Sequence, residues 1–171
     1  MMQTIEQTLD VNVPAAQVWR VLSDFSSIEK FSPTVKHSPI LGDVKTGLGA
    51  KRACSFHDGT SAVEEIVGYR EGESLEVELT EHPMPFKRFF AQMKVVAIDE
   101  RSSRISMAMS FEVKYGVLGR LLVALVMRRM VLKVLKKVLS GLALHASSGE
   151  LIGRDLPAGD KVAQLLRQPA A

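Results

Sequence analysis

The sharpest pattern in the chain lies between residues 104 and 115. Ile105, Met107, Met109, Phe111, Val113 and Tyr115 alternate with Arg104, Ser106, Ala108, Ser110, Glu112 and Lys114. Period-two alternation of this length predicts a strand with one face on a core. Phe89, Ala91, Met93, Val95 and Ala97 repeat it upstream, and Leu75, Val77 and Leu79 do so among glutamates. Ile5, Leu9, Val11 and Val13 mark a first strand. Residues 35–45 read as a weaker edge strand, interrupted by Pro39 and Gly42. The period changes after Pro14, which suits the first turn of a helix. In AAQVWRVLSDF, Val18, Trp19, Leu22 and Phe25 recur at helical spacing. Ser26 with Glu29 resembles a capping box for a second short helix, SSIEKF, which Pro33 stops.

The longest helical segment runs from Val117 to Ala146 and holds neither proline nor acid. At ~1.5 Å per residue it spans about 45 Å. Its second half is amphipathic. Arg129, Lys133, Lys136, Lys137 and Ser140 fall on one side, and Met127, Val131, Val134, Val138 and Leu142 on the other. From Leu121 to Met127 it is apolar all round. This predicts a helix laid across a concave sheet, with its apolar start meeting a ligand, a lipid surface or another subunit. The order is a strand, two short helices, six strands and one long helix. Short turns between consecutive strands make the sheet antiparallel and the class α+β. Residues 1–150 form one domain. Residues 151–171 form an extension, with a short helix near Asp160–Arg167 and a disordered tail from Gln168.

Asp58-Gly59 is a two-residue hairpin signal. Read so, His57 lies opposite Thr60, and Arg52 faces Glu65, Cys54 faces Val63, and Phe56 faces Ser61. Val67 and Tyr69 share that face, which is the more apolar and is turned inward. Arg52 and Glu65 then form a cross-strand pair inside. A slip of one residue would reverse the assignment.

Composition narrows the classes. A chain of 171 residues with 46% hydrophobic content is one globular domain with material for a core. One cysteine, Cys54, excludes an intrachain disulfide and fits a reducing, cytoplasmic setting. The start, MMQTIEQTLDV, lacks the basic and apolar regions of a signal peptide. The longest unbroken apolar run, Leu121 to Met127, is far short of a membrane span. Net charge is +3, but Val117–Ala146 alone holds six Lys and Arg. That local charge suits peripheral contact with an anionic membrane or a partner, as well as plain solvation.

Three stretches together resemble a known family: VPAAQVWRVLSDFSSIEKFSP, GLGAKRACSFHDGTSAVEEI and the C-terminal helix. They look like the START-like, or SRPBCC, superfamily, the helix-grip fold of the birch-pollen allergen, plant hormone receptors and bacterial polyketide cyclase/dehydrase-like proteins. The order of elements matches over roughly residues 3–146. The resemblance implies a curved seven-stranded antiparallel sheet gripping the long helix around an apolar cavity. Members of that superfamily bind lipids, sterols, hormones or polyketides, some as enzymes and many as carriers or sensors.

The residues themselves offer little catalysis. His37, His57, His82 and His145 are scattered without ligand spacing, so no metal site is expected. No base stands beside Cys54 on its predicted face, and GLG at 47–49 is too short for a phosphate loop. No base-reading groups stand out on the basic helix, so no nucleic acid is expected. No cofactor and no catalytic residue is assigned. The expected ligand-binding residues are Arg52, Cys54, Phe56, Val63, Glu65, Phe89, Met93, Met107, Met109, Phe111, Met127, Val131 and Val134. The expected portal is Met84, Phe86, Tyr115, Leu118 and Leu121, with Phe89 beside Tyr115 in a simple hairpin. A carrier or sensor of an apolar small molecule or lipid is the first reading. A cyclase/dehydratase-like enzyme and a membrane- or partner-docking module are the alternatives.

Overall fold

The computed structural model describes residues 2–114, 117–156 and 159–166, and for 117–126 the backbone alone. Strand β1 (Gln3–Val11) leads into helix α1 (Ala15–Ser23), a 3-10 turn (Phe25–Ser27) and helix α2 (Ile28–Phe31). Strands β2 (Val35–His37), β3 (Ile40–Leu41), β4 (Lys51–Phe56), β5 (Ser61–Arg70), β6 (Ser74–Thr80), β7 (Phe86–Asp99) and β8 (Ser102–Val113) follow. Helix α3 (Val117–Ser148) and helix α4 (Gly159–Leu165) complete the described chain.

One antiparallel sheet runs in the order β1-β8-β7-β6-β5-β4-β2, with β3 also on β4. The first strand thus pairs with the last, Ile5 opposite Met109. The curled sheet is the seven-stranded helix-grip arrangement. Its one difference is that the 35–45 strand breaks in two around Pro39, which has no N–H for a ladder.

Helix α3 crosses the concave face against β1 and β8 and packs on α1 and α2. Leu135, Leu139 and Leu142 are fully buried, with Val11, Val13, Val18 and Phe25 among the other fully buried side chains. Gly141 sets the closeness of α3 to α2. A methyl group there would lie 2.0 Å from the Phe31 carbonyl oxygen. Ser140, expected on the polar side, is buried, while Arg128, Arg129, Lys133, Lys136 and Lys137 are exposed.

The β4–β5 hairpin departs from expectation by one residue. Phe56 donates its N–H to the Thr60 carbonyl (2.9 Å), and Gly59 donates to the Phe56 carbonyl (3.1 Å). The loop therefore holds three residues, His57, Asp58 and Gly59, with Gly59 at φ +89°. This is the three-residue hairpin that needs a left-handed third residue, not the two-residue turn. Asp58 accepts from the Thr60 amide (2.9 Å) and hydroxyl (2.7 Å), which hold its carboxyl below the usual carboxylate range. Arg52 consequently faces Glu64, Cys54 faces Ala62, and Lys51 faces Glu65.

Three smaller differences have local causes. The same register puts Val67 on the outside, 40% exposed, and a bulge between Ile66 and Gly68 then brings Tyr69 opposite Leu75. Glu29 accepts from the Ser38 amide (2.7 Å) instead of completing a capping box with Ser26. Strand β7 starts at Phe86, and a bulge follows, so Phe89 lies opposite Phe111, while Tyr115, its expected neighbour, lies outside the described residues.

The extension does not hang free over its described length. Ile152 donates its N–H to the Lys30 carbonyl (2.8 Å) and is buried, and Lys161 pairs with Glu150 (3.1 Å). Asn12 donates to the Leu165 carbonyl (2.8 Å), and Leu165 and Leu166 pack on the core. The short helix expected near Asp160–Arg167 is α4. The tail from Gln168 lies outside the described residues.

Candidate functional site

Between the sheet and α3 lies a cavity of about 450 Å³. The alternation of each strand decides what reaches it. Phe56 on β4, Glu64 on β5, Leu79 on β6, Phe86, Phe89 and Ala91 on β7, and Met107, Met109 and Phe111 on β8 form the sheet wall. Helix α3 supplies Met127, Met130, Val131, Val134 and Val138 at turns of one stripe. Ile28, Val35 and Met84 add apolar surface. One rim is polar, with Thr34, His57, Asp58, Thr60, Lys137, Arg154 and Asp155.

The far end is aromatic. Phe86 stacks on Phe111 at 4.7 Å, and Phe89 meets Phe86 edge-on at 5.2 Å. The His82 ring stands edge-on to Phe89 at 5.6 Å. Its Nδ1 is buried without a hydrogen-bond partner among the described residues. At the same end, Lys114 donates its N–H to the Pro85 carbonyl (3.0 Å). The 82–85 loop therefore meets the segment just before α3.

Glu64 is the single ionisable side chain that β4 to β8 contribute to the described lining. Arg52 holds it: Nε and Nη2 donate to Oε2 at 2.7 and 2.5 Å. Nη1 donates to the Phe25 carbonyl at 2.6 Å, and the guanidinium lies 3.9 Å from the Phe25 ring centre. Both residues are 6% exposed. A pair so far from water is stable only with such hydrogen bonding. Cys54 lies beside it, 1% exposed. Burial first, and then the Glu64 charge, push its thiol up to about 12. It is a neutral core group at ordinary pH, not a nucleophile.

The structure brings Phe56, Phe89, Met107, Met109, Phe111, Met127, Val131 and Val134 together, as expected, with Met84 and Phe86 at the aromatic end. It moves five residues out of the lining. Arg52 and Cys54 share the inner face with Phe56 and Glu64 but do not reach the cavity. Val63 and Glu65 point to the outer face because of the register, where Glu65 meets Lys51 at 3.0 Å. Met93 is buried core that does not reach the cavity; α1 packs against its strand. Of the expected portal, Tyr115 and the side chains of Leu118 and Leu121 lie outside the described residues. Sequence reasoning missed Glu64, whose signal was the three-residue turn. It also missed Arg154 and Asp155, which Gly149 and Gly153 flag only as a break after the helix.

With the architecture in view, the sequence profile for polyketide cyclase/dehydrase and lipid transport matches residues 2–147. The chain belongs to this family. It is of the SRPBCC type, and solved structures share its fold. A Thermobifida fusca protein solved by NMR is 26% identical, with a TM-score of 0.66 over 84% of this chain and 93% of that one. The XoxI protein from Bacillus cereus is 14% identical, with a TM-score of 0.69 over 85% and 96%. Truncated norcoclaurine synthase from Thalictrum flavum is 17% identical, with a TM-score of 0.64 over 83% and 93%. No protein of curated function matches. Arg154 and Asp155 lie beyond the family match, so the polyketide cyclase/dehydrase framework here has an addition at its rim. Among the described residues, no helix is long and apolar enough to cross a membrane.

Proposed function

We propose that this family member is a cytoplasmic carrier or sensor that holds an apolar small molecule or lipid between the sheet and α3. The observation that carries the reading is the cavity itself, whose volume suits a small ligand and whose walls are mostly Phe, Met, Val and Leu. Methionines at five lining positions make an adaptable surface. Binding is favoured over turnover because the one ionisable group of the sheet wall, Glu64, is committed to Arg52. The family name, which joins cyclases with lipid transport, is compatible with either activity. We place the portal at the 82–86 loop and the start of α3, where Met84 and Phe86 border the cavity. Native mass spectrometry of protein purified from its own host tests the reading. A retained apolar mass supports it, and a protein that stays ligand-free and takes up no apolar compound overturns it.

The exposed basic face of α3 favours a second role for the same helix, docking on an anionic membrane. Arg128, Arg129, Lys133, Lys136 and Lys137 are exposed, and Met130 beside them is 60% exposed. Each such charge contributes ~1 kcal/mol close to an anionic surface. Anionic vesicles should then co-sediment the protein more than neutral ones, and salt should weaken the effect. Equal binding to both vesicle types removes this role.

A further inference from the structure

Resting on the apolar-binding reading, we propose that the ligand is amphipathic and that its polar end is an uncharged hydrogen-bond donor, such as a hydroxyl, received by Glu64. One row of residues crosses the concave sheet. Arg52 pairs with Glu64, Glu64 with Leu79, and Phe89 with Phe111. Leu79 lies one residue beyond the Glu78–Phe90 pair and so beside Phe89. The row is charged at one end and aromatic at the other. With strands ~4.8 Å apart, Glu64 and Phe111 are about 14 Å from each other. A ligand lying along this row has its apolar body on Phe89 and Phe111 and its head at Glu64.

The chemistry of the head follows from what Glu64 already has. A carboxylate accepts about four hydrogen bonds. Arg52 supplies two, both on Oε2. Capacity for another remains on a side chain that lines the cavity. The pair as a whole is neutral. An acidic head would bring a second anion against Glu64, and an ammonium would bring a second cation against Arg52, both away from water. A neutral donor meets neither penalty and gains a hydrogen bond to a charged acceptor. A pure hydrocarbon gains nothing there. The rim does not reverse this preference, because Lys137 and Arg154 are balanced there by Asp58 and Asp155.

Three probes with one chain separate these cases: 1-decanol, decyl methyl ether and decanoate. Each displaces the neutral dye Nile red from the protein, and the dissociation constants are compared. The alcohol should bind tighter than the ether and the acid by about tenfold or more, the scale of one buried hydrogen bond. In the double variant Arg52→Met with Glu64→Leu, which removes both charges together, the preference should fall below about threefold while all three still bind. Equal affinity for alcohol and ether in the natural protein overturns the inference and leaves the carrier reading standing. An undiminished preference in a folded double variant also overturns it. Failure of all three probes and of the dye to bind overturns the carrier reading itself. The comparison within the natural protein decides the matter even if the variant does not fold.

Discussion

The β7–β8 and β4–β5 hairpins face the same cavity with opposite chemistry. β7 and β8 present Phe86, Phe89, Met107, Met109 and Phe111, a wall held by aromatic stacking. β4 and β5 present Phe56 and Glu64, with Arg52 paired beside Glu64. The first wall is a surface for hydrocarbon. The second is a place where a polar group can be received. A cavity with both kinds of wall orients its occupant, whereas a uniformly apolar one only encloses it.

The two hairpins also differ in what fixes their register. On β8, one face is almost wholly large and apolar, so a slip by one residue would put all of it in water. On β4 and β5 both faces are mixed, and the turn decides. The largest expected effect follows from that decision. Glu64→Leu alone should destabilise by ~4 kcal/mol, because it leaves the Arg52 guanidinium buried and unpaired. Urea unfolding measures it. If Glu64→Leu proves harmless, the pair is not what the second wall rests on. The same unfolding experiment on the first wall gives the next effect. Phe111→Ala should lose ~3 kcal/mol, less than a filled core position can, because the ring already borders a void.

The turn itself comes third. Gly59→Ala meets no neighbour within 4 Å, so its expected loss of ~1 kcal/mol is conformational, from a residue at φ +89°. A stabilised Gly59→Ala would contradict the three-residue turn. Smallest of all, Glu65→Leu should change stability by under ~0.5 kcal/mol, since its pair with Lys51 is on the surface and nearly half exposed. The contrast between neighbouring glutamates 64 and 65 is the register expressed as free energy. Had the two-residue turn been right, their effects would be exchanged.

Cys54 reports on the second wall from a buried position beside the Arg52–Glu64 pair. Its thiol ionises near 9 when unfolded and at about 12 when folded, so the unfolded chain releases its proton first. Stability should be full below pH ~9 and should fall between that and pH ~12. At pH 8 a thiol reagent should label the unfolded chain and spare the folded one. Fast labelling of the folded protein would mean that this wall opens.

The fold was legible because its strongest signals are redundant. The β8 alternation, the acid-free helix and the apolar spacing of Val18, Trp19 and Leu22 each specify an element alone. The cavity lining was legible where those same elements carry it, at Phe89, Met107, Met109, Phe111, Val131 and Val134. It was illegible where the length of the turn, two residues or three, chooses between Glu64 and Glu65, because Gly59 at positive φ suits both and only Asp58, at negative φ, marks the longer one. It was also illegible at Met93, whose alternation matches that of Met107 although only Met107 reaches the cavity. Periodicity reports which face a residue is on, not where on that face the cavity ends, and here its edge falls between the cross-strand partners Met93 and Met107. Arg154 and Asp155 reach the rim through backbone contacts, Ile152 to Lys30 above all, which no side-chain pattern announces.

Methionine methyl groups allow the most direct test, because they sample the cavity and its surroundings together. Met84, Met107, Met109, Met127 and Met130 line it, while Met2 and Met93 do not. With carbon-13 in every methionine methyl, titration with 1-decanol can be followed by NMR. The methyl resonances of Met107, Met109 and Met127 should shift together along one binding curve, with Met93 and Met2 unmoved. Shifts confined to Met2 or Met93, or none at saturating decanol, would contradict an apolar ligand held between the sheet and α3.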